Sequence, residues 1–157
     1  MLTNAQALVL KTAILADATQ ANNVSIQDYS AIADWLNTAG AFIVWRSSIP
    51  VSEYRDSITW TEVDGLTVGS KYRIWEWLTG NMTLPLESGK TAVRTGLADC
   101  WASNSTTRAN LLTIAKRAAT KAEQLLATGT GSSASPGTLT WEGQISVYDI
   151  GGILSAA

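Results

Sequence analysis

Arg108-Ala109-Asn110-Leu111-Leu112-Thr113-Ile114-Ala115-Lys116-Arg117-Ala118-Ala119-Thr120-Lys121-Ala122-Glu123-Gln124-Leu125-Leu126 carries the plainest periodicity in the chain. Leu111, Ile114, Ala118, Ala122 and Leu125 recur at helical spacing, which predicts one long amphipathic helix over 108–126. Lys116, Arg117 and Lys121 fall on its other sides, toward the expected C-terminus, where positive charge offsets the helix dipole. They read either as a solvated face or as a small basic ridge for an acidic partner or passing DNA.

Downstream the character changes. Thr128 to Gly137 reads TGTGSSASPG, the composition of a flexible linker. Thr138 to Tyr148 then places Leu139, Trp141, Ile145 and Val147 among polar residues, and the alternation predicts a short strand broken by Gly143. A lone strand cannot satisfy its own backbone hydrogen bonds. It must pair either with an edge of its own domain or with another chain, by strand addition. Leu139, Trp141, Ile145, Val147 and Tyr148 are therefore the candidate partner-binding residues of an arm.

Upstream the reading is also helical. Thr3 and Gln6 have capping-box spacing at the head of a first helix. Leu8, Thr12, Leu15 and Thr19 mark one side of it and Val9, Ala13 and Ala16 another, so it is expected to pack on more than one side. Ser25 is the expected cap of a second helix along Ile26, Tyr29, Ile32, Ala33 and Leu36, closed by Gly40. Phe42 to Trp45 reads as a buried strand or the start of a helix. Pro50 suits a first helical turn, giving a short helix to about Ser57. Ile58 to Val63 alternates briefly, and Asp64-Gly65 signals a turn. Val68 to Leu78 reads as a helix with Tyr72, Trp75 and Leu78 along one face. After Pro85, a helix from Ser88 or Gly89 to about Trp101 carries Val93, Leu97 and Trp101 on one stripe, and Asn104 to Thr106 supplies the next cap. The expected fold is mainly α: a small helical bundle (1–127), a Gly/Ser linker (128–137) and an extended C-terminal arm (138–157) containing a short β-strand.

The 157 residues suffice for one core burying roughly 70% of the unfolded surface. Charged residues make up only 15%, against about 25% in ordinary domains. Either a Ser/Thr/Asn-rich surface or coverage by partners accounts for that. The seven tryptophans each bury on the order of 150–250 Å² when packed, more than one small core needs. Trp75 and Trp77 point about 200° apart on a helix. Trp77 and Trp141 are the candidate interface anchors, since aromatics are enriched in binding hot spots.

Reactive chemistry finds little material. The chain has no histidine, which removes the commonest general base and metal ligand. One cysteine, Cys100, leaves no intrachain disulfide and no zinc set, and reads as a buried apolar filler. Glu87 to Thr91 ends like a phosphate loop, but Leu84-Pro85 stands where the first glycine is required. Glu53 with Asp56, or Glu62 with Asp64, are the possible acid–base pairs, and Asp17, Asp28 and Asp34 lack calcium-loop spacing. A net charge of −2 argues against a dedicated nucleic-acid binder. No apolar run reaches the roughly 18 residues that span a bilayer, and the first twenty residues lack the pattern of a signal peptide. No catalytic residue, cofactor or metal is expected, and the protein is expected to begin in the cytoplasm.

Val44-Trp45-Arg46, Ile58 to Thr67 (ITWTEVDGLT), Arg73 to Leu78 (RIWEWL), Lys116 to Gly131 and Thr138 to Gly143 (TLTWEG) together resemble small virion-associated proteins of tailed bacteriophages. Helical proteins of this size with an extended tail look like head–tail connector (adaptor) proteins. The resemblance implies a ring, dodecameric in that family, beneath a portal protein, linking capsid to tail. Implied partners are the portal, neighbouring copies, other neck or tail proteins and passing DNA, with no membrane, in the virion neck after assembly in a host cytoplasm. Capsid decoration and tail completion are the nearest alternatives. A small carboxylate-dependent hydrolase and a free regulatory binding module are alternatives of other classes.

Overall fold

Thr3 caps the first helix, α1 (Asn4–Ala16): its hydroxyl accepts the Gln6 N–H, and the Gln6 side chain accepts the Thr3 N–H. Asp17 then ends α1 and caps α2 (Ala18–Ser25), its carboxylate accepting the N–H groups of Thr19 and Gln20. The computed structural model describes residues 1–80 and 87–157, without the side chains of 77–80. The expected Pro85 connection and the side chains of Trp77 and Leu78 lie outside that description.

Among the described residues, ten helices and one two-stranded antiparallel sheet make the protein mainly α. The chain forms two units, one from residues 1–44 and 118–157, the other from 45–117. It leaves the first unit along β1 (Ala39–Trp45) and returns along β2 (Lys116–Thr120).

In the first unit α1, α2 and α3 (Tyr29–Asn37) surround Leu10, Ile14, Ile32 and Leu36, all fully buried. Asp28, not Ser25, caps α3, through the Ala31 N–H; Ser25 instead closes α2. Gly40 does not close α3, because that helix ends at Asn37 and Gly40 is already in β1.

The expected single helix over 108–126 is three elements. Helix α8 (Thr106–Ile114) stops, β2 follows, and α9 (Lys121–Leu126) starts afresh. Thr120 is extended, at φ −69° and ψ 165°, and its hydroxyl accepts the Glu123 N–H while Glu123 accepts the Thr120 N–H. That capping box restarts the helix. Pairing with β1 buries Ala119 completely and overrides the good helix propensity of Lys-Arg-Ala-Ala.

The tail also departs from expectation. Residues 128–137 are no loose linker: Thr128 and Thr138 exchange backbone hydrogen bonds, Gly131 accepts the Ile43 N–H, and Gly137 donates to the Ile43 carbonyl. Thr138 to Tyr148 forms no strand. Asn37 donates to the Ile145 carbonyl (2.8 Å) and accepts its N–H (2.9 Å), taking the place of a pairing strand. Ser146 then caps α10 (Val147–Ser155) in a box with Asp149. Ile145, Ile150, Ile153 and Ala156 join the core of the first unit. The extended arm is therefore part of the helical body.

The second unit packs α4 (Val51–Asp56), α5 (Trp60–Asp64), α6 (Val68–Gly80), α7 (Thr91–Cys100) and α8. Pro50 precedes α4 as expected. Ile58 to Val63 is mostly helical, since α5 begins at Trp60. Lys90, not Ser88, stands at the head of α7, and the buried Ser88 hydroxyl donates to the Arg46 carbonyl. Ile49, Tyr54, Ile58, Ile74, Leu97, Trp101 and Leu111 form its core. Cys100 is buried there, and burial pushes its thiol pKa up.

Candidate interaction surface

The Glu62 side chain fixes α5: its carboxylate accepts the N–H groups of Thr106 (2.7 Å) and Thr107 (2.9 Å), the open donors at the head of α8. Thr107 returns the tie by accepting the Thr59 N–H at 2.9 Å. Lys71 of α6 donates to the Asp64 carbonyl at the end of α5, 3.0 Å away. These contacts tie α5 to the head of α8 and the first turn of α6 to the end of α5.

Helix α6 buries Ser70 and Ile74, four apart, on one side. Val68, Tyr72 and Trp75 follow at i, i+4 and i+7 on another, and they are 85%, 61% and 65% exposed. Trp60 of α5, 54% exposed, extends the surface. Together with Val63 and Lys71 they line an apolar groove of about 420 Å³. Tyr72 and Trp75 share one face, as their spacing predicts, and that face is turned outward. Ile74 is the core residue of the pair Ile74-Trp75. Clusters of large exposed apolar side chains mark interaction sites more often than scattered single ones.

The residues singled out from the sequence are dispersed. Ile145 is buried in the first unit, Trp141 packs partly buried against the same core, and Leu139 is half-buried. Val147 and Tyr148 point outward at the head of α10. Lys116 and Arg117 belong to β2 and Lys121 opens α9, so they are not a ridge at a helix C-terminus. The Lys116 ammonium lies 5.5 Å from the centre of the Trp45 ring, and that of Lys121 lies 5.6 Å from the Trp35 ring.

Arg94 stacks on Trp45 at 4.3 Å and donates to the carbonyls of Ser88 and Gly89. Sequence reading missed it, and no spacing marks it. A cavity of about 50 Å³ beside it, lined by Leu97, Trp101 and Arg108, is small and apolar. Arg108 is directed to the carbonyls of Ala98 and Trp101.

Two of the four carboxylate candidates, Glu53 and Glu62, are engaged structurally. Arg46 grips both oxygens of Glu53 (2.5 and 3.2 Å) and holds its pKa below the ordinary value. Hydrogen bonds from Thr107, side chain first, and from Thr106 do the same for Glu62. A general acid needs its pKa raised toward neutrality, the opposite shift. Among the described residues no group of three or more acidic or cysteine side chains is placed to hold a metal ion. No described helix is long and apolar enough to cross a membrane.

No family model, curated protein or solved structure matches the chain.

Proposed function

We propose that this chain is a structural protein of a tailed-phage particle, a head–tail connector that forms a ring beneath the portal, and that it assembles through the outward side of α5 and α6. The observation that carries this reading is the apolar groove of Trp60, Val68, Tyr72 and Trp75, open to solvent. The phage-like stretches ITWTEVDGLT and RIWEWL supply Trp60 and Trp75, and Val68 and Tyr72 lie in the short segment between them. The low charged fraction fits a chain whose surface is covered by partners.

The mechanism differs from arm docking. The tail is committed to the core of its own unit through Ile145, Ile150 and Ile153. Assembly therefore works through preformed helical surfaces, with little ordering cost on binding.

Cryo-electron microscopy of the virion tests the reading. Density for this chain is expected at the portal vertex, with the α5–α6 groove covered. Density at the capsid surface would favour a decoration protein, and its absence from particles would overturn the virion assignment.

A further inference from the structure

The outward side of α6 follows a heptad. Val68 and Trp75 take its d positions and Tyr72 the a position between them, and all three are exposed. Ser70 and Ile74 take f and c, on the opposite side, and both are buried in the chain's own unit. The seam that a partner helix would meet is therefore the one turned to solvent.

Charges of opposite sign flank that seam. Lys71 takes the g position on one side and Glu76 the e position on the other, and both are exposed. The Tyr72 hydroxyl donates to Glu76 Oε1 at 3.3 Å, which keeps the carboxylate beside the seam. Beyond Lys71 lies the end of α5, where Lys71 Nζ donates to the Asp64 carbonyl at 3.0 Å. Beyond Glu76 lies Arg73, three residues back and exposed. The Glu62 carboxylate is turned to the head of α8 instead. One flank thus carries Lys71 with Asp64 and the other Glu76 with Arg73, in reversed order of sign.

We propose that in the unassembled protein a second copy of this chain covers the groove, the two α6 helices lying parallel about a two-fold axis. Parallel helices set the g side of one against the e side of the other, five residues further on, so Lys71 of each copy meets Glu76 of its partner. The flanking Asp64 and Arg73 oppose in the same sense. Antiparallel helices would set like flank against like flank, Lys71 beside Lys71, which charge disfavours. Tyr72 and Trp75 fill the seam, each able to bury on the order of 150–250 Å², and Trp60 walls it on the α5 side. A free helix of 13 residues is marginal in water. Here Ile74 already anchors α6 in a packed unit, so pairing carries no helix-folding cost. Such a contact closes on itself and adds no third copy. The pair is the waiting form, and it opens when the groove meets its neighbour in the particle. The inference rests on the reading of this groove as an assembly surface and adds what covers it beforehand.

Charge reversal is the test, read by sedimentation velocity on the full chain, with circular dichroism to check folding. The native chain is expected to be a dimer. Lys71→Glu alone and Glu76→Lys alone each turn two attractive contacts into repulsive ones, and each is expected to weaken dimerisation by about tenfold or more. The two variants mixed, or the two substitutions combined in one chain, are expected to restore it, because opposite signs then face each other again. If Lys71→Glu does not fold, Glu76→Lys and Trp75→Glu carry the test, both expected to dimerise at least about tenfold more weakly than the native chain. A native chain that is not a dimer, folded single reversals that pair as tightly as the native chain, or a folded double reversal that stays apart overturns the proposal. A monomeric native chain found at the neck of the particle would sink the pairing and leave the connector reading standing. A dimer with this reversal pattern, formed by a chain absent from particles, would do the opposite.

Discussion

Asn37 satisfies both backbone groups of Ile145, donating to its carbonyl and accepting its N–H across 108 residues of sequence. The contact fixes where the tail turns into α10 and directs Ile145 into the core.

Asn37→Ala leaves those two groups partly buried without partners. A lost pair of this kind costs about 2–3 kcal/mol, from roughly 1 kcal/mol per bond plus the desolvation of what remains. Urea unfolding is expected to show a lower midpoint with an unchanged slope, and limited proteolysis is expected to cut first between 138 and 146.

The Gly/Ser segment makes a second prediction. Gly131 sits at φ +66°, and a side chain there would overlap the Phe42 ring; one at Gly137 would crowd the same ring. Gly131→Ala combines a left-handed backbone with overpacking, together about 2–4 kcal/mol. A flexible linker would tolerate the same change with no loss, so thermal melting distinguishes a folded clasp from a tether.

Helix α6 makes a third. Ile74→Ala is expected to cost about 2–5 kcal/mol as a core truncation. Trp75→Ala, at the neighbouring but exposed position, is expected to cost under about 1 kcal/mol. Chemical denaturation of the two variants side by side reads the difference.

Glu62 gives the chain a pH dependence with a definite sign. Its folded pKa lies below the ordinary 4.5 because Thr107 and Thr106 donate to the ionised form. The stabilisation is therefore present above 4.5 and lost as pH falls through the depressed folded value. Glu62→Gln lacks this titration. The stability gap between native chain and variant is expected to be widest near neutrality and to close in acid, as followed by denaturant melts across pH.

How far the sequence disclosed this protein depended on how local each signal was. The Thr3–Gln6 box, Pro50 before α4 and Ser105 before α8 act within one turn and were legible. The boxes Thr120–Glu123 and Ser146–Asp149 were equally local but were masked, one by good helix formers on either side and one by an alternating pattern that suggested a strand. Strand β2 was not legible, because Lys-Arg-Ala-Ala-Thr becomes a strand only through its pairing with β1, a contact distant in sequence. For the candidate surface, the Tyr72–Trp75 spacing gave the face correctly. Its direction was set by Ile74 and Ser70 packing inward, and periodicity alone does not say which of two apolar sides is the buried one.

The most direct measurement is the amount of this chain in purified particles when the native protein and Trp75→Glu are supplied in turn to a phage lacking its own copy. The native chain is expected in the particles and the folded variant to be missing from them, with heads left unjoined to tails. A folded Trp75→Glu chain recovered at the native level, in joined and infectious particles, would contradict assembly through the α5–α6 groove.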